Sequence, residues 1–435
     1  MDHKNNQSFL LRNSFILSIL KGAGLLLTFL TSIFISRFYG AETTGLYYLF
    51  LSILALLSLF TKYGLDRSLV KVIALHDYPK EKNVIRGIWL SAITASSILC
   101  IITIVVSLTL VELDFITAQM KSNISYLYYT LFCIIPFTII FINASAMRGI
   151  RKNIPSSTVE TILIPLTFIA LLAFFYYLGI HRNIFEFYFA ACLITFVISS
   201  FLLYRMLQNN EPAIKHNVKD LIRNSTLIFG INATNFIAEW GATFILSSYD
   251  SLESIGIFNI CVRITSIFSI LMLVLNNITD PIFSKLHHEN KINEISKLAG
   301  QSAKLLNIVG LPLIAIIYIY SDVILSTFGD EFIQGAIILK ILLIGQACNF
   351  LSGSAGYILI MTGHNRIMLS LTITVSILQV ILFIAFIPTY GILAAAIITA
   401  TTTALRSMLS IIATYRALGI VAVPFYSKIN KNTPK

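Results

Sequence analysis

The sequence predicts an all-α polytopic membrane protein, with twelve transmembrane helices in two six-helix lobes related by a pseudo-two-fold along the membrane normal. Three observations lead there. Of 435 residues, 57% are hydrophobic and only 12% charged, against roughly 45–50% and 25% in soluble domains. The charges are clustered, leaving uncharged runs of 25 residues (Gly87 to Val111), 26 (Ser122 to Met147), 25 (Ile341 to Asn365) and 39 (Ile367 to Leu405). A segment of roughly 20 apolar residues crosses a bilayer as a helix, because only a helix satisfies its own backbone in lipid. The third observation is a repeat at half length, set out below.

Apolar stretches of helix length fall at 14–38, 44–62, 87–110, 124–147, 155–178, 186–204, 225–248, 256–278, 305–321, 335–360, 367–387 and 391–413. The last two share the 39-residue uncharged run, which Pro388-Thr389-Tyr390-Gly391 divides as a turn. The basic N-terminus is short and the span after it too long for a cleaved signal peptide, so it is expected to remain as the first helix.

An even number of spans puts both termini on one side, and Lys/Arg bias chooses it. The N-terminus, the loops at 62–86, 148–153, 205–224, 279–304 and 361–366 and the C-terminal tail carry 24 Lys and Arg, the opposite loops three, while acids divide nine to nine. The positive-inside rule then places both termini in the cytoplasm. The net charge of +11 is therefore topology and attraction to anionic lipid, and a nucleic-acid partner is excluded.

No loop exceeds about 26 residues and no GxxxxGK[ST] loop occurs, which argues against a nucleotide-driven pump. The five cysteines (Cys100, Cys133, Cys192, Cys261, Cys348) lie in apolar spans without CxxC spacing. They read as packing residues. The seven histidines sit in loops or at helix ends, His287-His288 without the carboxylate or cysteine company of a metal site. No cofactor is expected.

The repeat appears at an offset of 211: Ser36 to Tyr47 aligns with Ser247 to Phe258, identical at Ser36/Ser247, Glu42/Glu253 and Gly45/Gly256. The following loops echo each other as Asp66-x-x-Leu69-x-Lys71 and Asp280-x-x-Phe283-x-Lys285. Six spans per copy give both copies the same orientation and place a cleft between lobes that rock to give alternating access. The expected organisation is an N-lobe at 1–204, a cytoplasmic linker at 205–224, a C-lobe at 225–413 and a cytoplasmic tail at 414–435. Gly45 and Gly256 read as helix-start or close-packing glycines, and the acidic pair Asp330 and Glu331 as a solvated periplasmic turn. Tyr47, Tyr48, Tyr126, Tyr128, Tyr129, Tyr176 and Tyr177 cluster near span ends, where an interfacial belt is expected.

The hairpin Ser36–Phe50 (SRFYGAETTGLYYLF) followed by Gly64–Leu75 (GLDRSLVKVIAL) resembles the start of polysaccharide and O-antigen flippases, the Wzx type, of the multidrug/oligosaccharidyl-lipid/polysaccharide exporter superfamily. Phe328–Phe332, Thr362–Arg366 and Pro388–Ala396 are similar to that group's C-terminal half, so the resemblance covers nearly the whole chain. It implies a non-enzymatic export of an undecaprenyl-pyrophosphate-linked oligosaccharide repeat unit from the cytoplasmic to the periplasmic leaflet. The implied partners are membrane lipids and the glycan polymerase and chain-length regulator of the pathway. The group has no universal motif, so it assigns no site residue.

Six ionisable residues fall inside spans: Lys21, Glu160, Glu239, Arg263, Lys340 and Arg406. Each carries an insertion cost of about 2.5–3.5 kcal/mol at a helix centre. Glu160, Lys340 and Arg406 lie within or near snorkelling reach of a span end. Lys21, Glu239 and Arg263 lie deeper. Two cations at different depths of a cleft would offer a lipid pyrophosphate successive partners, with Glu239 as the gating or coupling residue that competes for Arg263. A buried Arg–Glu or Lys–lipid structural contact is the competing account. Two further functions compete with the flippase: a cation-coupled multidrug exporter of the same superfamily, and a membrane-embedded glycan polymerase. The cleft's two cations to one acid weigh against the first, and the short periplasmic loops against the second.

Overall fold

The computed structural model describes residues 3–113, 124–180, 183–209, 211–214 and 218–420. Parts of the expected linker (210 and 215–217), the loop at 114–123 and the tail beyond 420 lie outside these. Every regular element among the described residues is helical, and nine helices there are long and apolar enough to cross a membrane. The chain is a multi-pass membrane protein.

Helix α1 (His3–Lys62) carries the first two expected spans in one element, because their connection shrinks to Gly40 at φ 81°, ψ 176°, a conformation open to glycine alone at low cost. After α2 (Leu65–Ile73), α3 (Lys82–Glu112) and α4 (Ile124–Gly149), the short α5 (Asn153–Ser157) continues through a π-helical turn (Thr158–Leu163) into α6 (Ile164–Tyr177). α7 (Ile184–Leu207), α8 (Val218–Leu246), α9 (Leu252–His288), α10 (Ile292–Ile319) and α11 (Ser321–Ser326) follow. A 3₁₀ turn (Asp330–Gly335) leads to α12 (Ala336–Leu351), α13 (Ala355–Met361) and α14 (Asn365–Leu418), and α14 is broken at Gly391 (φ 53°) where the turn is expected. Two starts are capped by their own side chains. Asn183 Oδ1 accepts from Phe185 N at 3.2 Å and Ser251 Oγ from Ser254 N at 3.1 Å, each with a glutamate in the first turn facing the helix dipole.

The chain forms two compact units: 19–35 with 46–240 (the N-unit), and 1–18 with 36–45 and 241–435 (the C-unit). The N-unit core is aromatic. Tyr47 stacks on Phe168 at 5.8 Å, and Tyr188 meets Phe50 and Phe168 edge-on at 5.0 and 5.1 Å. Tyr47, Tyr48 and Tyr126 are only 7%, 1% and 0% exposed, so they do not join an interfacial belt. Packing wins because these rings face neighbouring helices, and Tyr48 Oη finds Ser32 Oγ at 2.8 Å. Tyr128 and Tyr177 stay exposed. Buried Asn143 accepts from Trp89 Nε1 at 2.9 Å and donates to Ser199 and Ser200. The linker docks on the start of α3. Ile214 N donates to Asn83 O at 3.2 Å, and a Cβ on Gly87 would lie 1.7 Å from Ile214 O.

In the C-unit the two glycines of the repeat pack on each other's segments. A Cβ on Gly45 would stand 1.8 Å from Leu252 O, and one on Gly256 2.4 Å from Ala41 O. Both are close-packing glycines. In the turn at 328–332 the acidic pair Asp330 and Glu331 is exposed, as expected, while Phe328 and Phe332 are fully buried and Glu331 Oε2 accepts from Ala41 N at 2.8 Å. That carboxylate caps the helical arm that begins after Gly40, whose first N–H groups have no partner within their own helix. Asp250 Oδ2 does the same for Ile392 N at 3.0 Å after Gly391. At the interruption between α12 and α13, with Gly353 at φ 55°, Asn307 Nδ2 donates to the freed Phe350 O at 2.9 Å, and Ser354 Oγ ties the segment to α9 by donating to Asn276 Oδ1 at 2.8 Å. All five cysteines are free thiols, four of them buried.

Candidate functional site

The site begins at the junction of α1 and α2. Tyr63 and Gly64 are both left-handed, at φ 42° and 76°, and a tyrosine there carries backbone strain of about 1–3 kcal/mol. The turn is pinned from α8. The Tyr63 ring stacks on Phe229 at 4.9 Å, and Gly64 lies so close that a Cβ would be 2.7 Å from Ser225 O. This reversal brings Lys62 and Asp66, on either side of it, to the wall of one cavity of about 360 Å³ inside the N-unit.

Helix α8 supplies a second wall. Asn232, Asn235 and Glu239 follow the i, i+3, i+7 spacing of one helical face, and Phe236 and Trp240 flank them on the cavity. Phe137 and Phe141 of α4 form a third side. Lys62 Nζ sits 4.2 Å from the centroid of the Phe141 ring and 5.8 Å from that of Phe137, a cation–π arrangement. Its ammonium also lies in the electrostatic field of the carboxylates of Asp66, Glu160 and Glu239. Glu160, on the π-helical turn, accepts from Arg148 Nη2, so its charge is already matched. Asp66 Oδ1 is buried and meets no hydrogen-bond partner among the described residues. The wall thus carries Lys62 against Asp66 and Glu239, one negative charge in excess. Chemically it offers aromatic faces, two amides and two carboxylates.

Of the three residues expected at the site, only Glu239 lines this cavity. Lys21 is exposed on the first arm of α1 in the same unit, and Arg263 is half-buried on α9 in the C-unit. Among the other intramembrane charges, Lys340 Nζ rests 5.7 Å from the Tyr318 ring centroid and Arg406 is half-buried on α14. Sequence reasoning missed Lys62, Asp66, Asn232, Asn235 and Trp240. The polar period of α8 was a readable signal. Lys62 was hidden at a span end, where it counts as a topology charge.

This helical fold, with broken helices and a polar cavity among apolar helices long enough to cross a bilayer, is that of a multi-pass membrane protein. Residues 10–287, well over half the chain, match the model of the family described as polysaccharide biosynthesis protein, and the chain belongs to that family. Residues 228–385 also match the MatE family model. By structure the chain is similar to an inward-facing multidrug resistance MATE family transporter of the MOP superfamily, with TM-score 0.72 and 14% identity, covering 93% of this chain and 98% of that one. It is similar to the lipid II flippase MurJ in an inward closed conformation, with TM-score 0.73, 13% identity and coverage of 92% and 87%. The Vibrio cholerae MATE transporter VcmN in the bent form matches with TM-score 0.59, 13% identity and coverage of 95% and 98%. At these identities the likeness is one of fold. No curated protein matches the sequence.

Proposed function

We propose that the protein is a flippase that moves an undecaprenyl-pyrophosphate-linked oligosaccharide repeat unit from the cytoplasmic to the periplasmic leaflet of a bacterial inner membrane by alternating access. The observation that carries this reading is the polysaccharide biosynthesis family match over residues 10–287 in a chain made of membrane-spanning helices. A polysaccharide step performed within a bilayer acts on sugars carried by lipid, and an oligosaccharide faces a large desolvation barrier to crossing unaided. The fold shared with a lipid II flippase supports it. Under this reading Lys21 and Arg263 bind the anionic head group in turn, Glu239 competes with it, and the lobes at 1–204 and 225–413 rock about the linker. Membrane lipids, the polymerase and the chain-length regulator of the pathway are its partners.

One observation favours the cation-coupled drug exporter as a second reading: the one excess negative charge on the cavity wall. A deletion strain separates the readings. The flippase requires loss of a surface glycan with lipid-linked single repeat units accumulating toward the cytoplasm. A change in drug tolerance alone defeats it, and single units accumulating in the periplasm point to the polymerase.

A further inference from the structure

We infer that the N-unit cavity is a glycan subsite, which receives an uncharged segment of the oligosaccharide while the pyrophosphate is held elsewhere. This inference rests on the flippase reading and concerns which part of the substrate these residues touch.

Three ligand chemistries compete for the cavity, and its wall discriminates among them. A pyrophosphate would meet Asp66 and Glu239 at once, while the one ammonium on the wall, Lys62, already rests over the Phe141 ring. Like charge at this range in a partly desolvated site repels it. A hydrophobic cation would find the cation–π position over Phe141 occupied by Lys62 Nζ at 4.2 Å. It would also cover the Asn232 and Asn235 amides without pairing them, which weakens binding by roughly tenfold for each buried polar group left unmatched. A neutral polyhydroxyl ligand has neither difficulty.

Sugar hydroxyls donate to the carboxylates that Asp66 and Glu239 bring to the wall. Each asparagine amide both donates and accepts, matching a hydroxyl in either role. The apolar C–H face of a sugar ring lies against the flat rings of Trp240, Phe137 or Phe236. The volume of about 360 Å³ sits at the lower end of the roughly 300–1,000 Å³ of small-molecule sites, which suits a short glycan segment and not the lipid chain. Asn232 and Asn235 are then specificity-determining residues for the sugar.

The protein has two tryptophans, so a full-length Trp89→Phe variant in lipid nanodiscs leaves Trp240 as the sole reporter, inside the cavity. Trp89 donates to Asn143; if its loss unfolds the variant, the wild type read against Trp240→Phe yields the same signal by difference. The probe is the free glycan released by mild acid from the lipid-linked pool that accumulates in cells lacking the protein. Expected are a saturable change in Trp240 emission with this glycan and a half-saturation raised at least tenfold in Asn232→Ala/Asn235→Ala. Inorganic pyrophosphate and tetraphenylphosphonium should leave the emission unchanged. A saturable response to either of those two, or none to the glycan, overturns the subsite. Absence of any lipid-linked pool in the deletion strain instead overturns the flippase reading, and the subsite with it.

Discussion

Gly45 and Gly256 hold reciprocal positions. The absent side chain of Gly45 faces Leu252 O and that of Gly256 faces Ala41 O, and each of these pairs is displaced from the other by the 211-residue offset of the repeat. Such i-to-j and j-to-i contacts are what a local two-fold relation produces. The two repeat segments therefore meet each other directly.

Alanine at either position should be severely destabilising, because the obstacle is backbone and cannot rotate away. Gly45→Ala should cost the upper end of the roughly 1–3 kcal/mol seen for overpacking, or more, and Gly256→Ala somewhat less, in line with its 2.4 Å against 1.8 Å clearance. The yield of monodisperse protein after graded heating in detergent reads the order, and equal tolerance of both alanines contradicts it.

The capping carboxylates provide a second test. Glu331→Ala and Asp250→Ala each expose a helix start and should lower stability by about 1–2 kcal/mol. Glu331→Gln should retain a good part, since an amide oxygen still accepts from Ala41 N. If Gln is as damaging as Ala in thermal unfolding, the hydrogen bond is not what holds the turn.

Lys62 balances the acids of the cavity. Lys62→Met leaves Asp66 and Glu239 without their cation, a penalty of about 1–3 kcal/mol for a half-exposed group. Adding Asp66→Asn should recover at least half of it, a non-additivity that a double-mutant cycle detects. Additive losses would mean that the two side chains do not share their charge.

The proposed head-group residues are tested by export. Lys21→Ala and Arg263→Ala should abolish appearance of the glycan at the surface with normal protein level in the membrane, and Lys21→Arg should keep part of it. Glu239→Gln should slow turnover more than binding. Normal export by both alanine variants removes their proposed role.

Orientation follows from an impermeant thiol reagent applied to intact cells expressing single-cysteine variants. Positions Asp77, Asn217 and Asn290 should be protected and Asp114, His181 and Asp330 labelled. The opposite pattern would invert the topology and the direction of export.

The sequence by itself determined that the chain is helical and crosses the membrane many times, because runs without charge as long as 39 residues leave lipid as the only favourable solvent. It also marked the break at Gly391 and the repeat glycines, since turn chemistry and small residues are local signals. Tertiary structure alone decided which side chains share a site. Lys62, Asp66 and Glu239 are brought to one cavity by a left-handed turn at Tyr63 and Gly64. Likewise Glu331 reaches Ala41 across 290 residues of chain. Periodicity reports which face of a helix is polar, as at Asn232, Asn235 and Glu239. It carries no information on the partner that face meets, because the partner is chosen by packing among helices of nearly equal hydrophobicity.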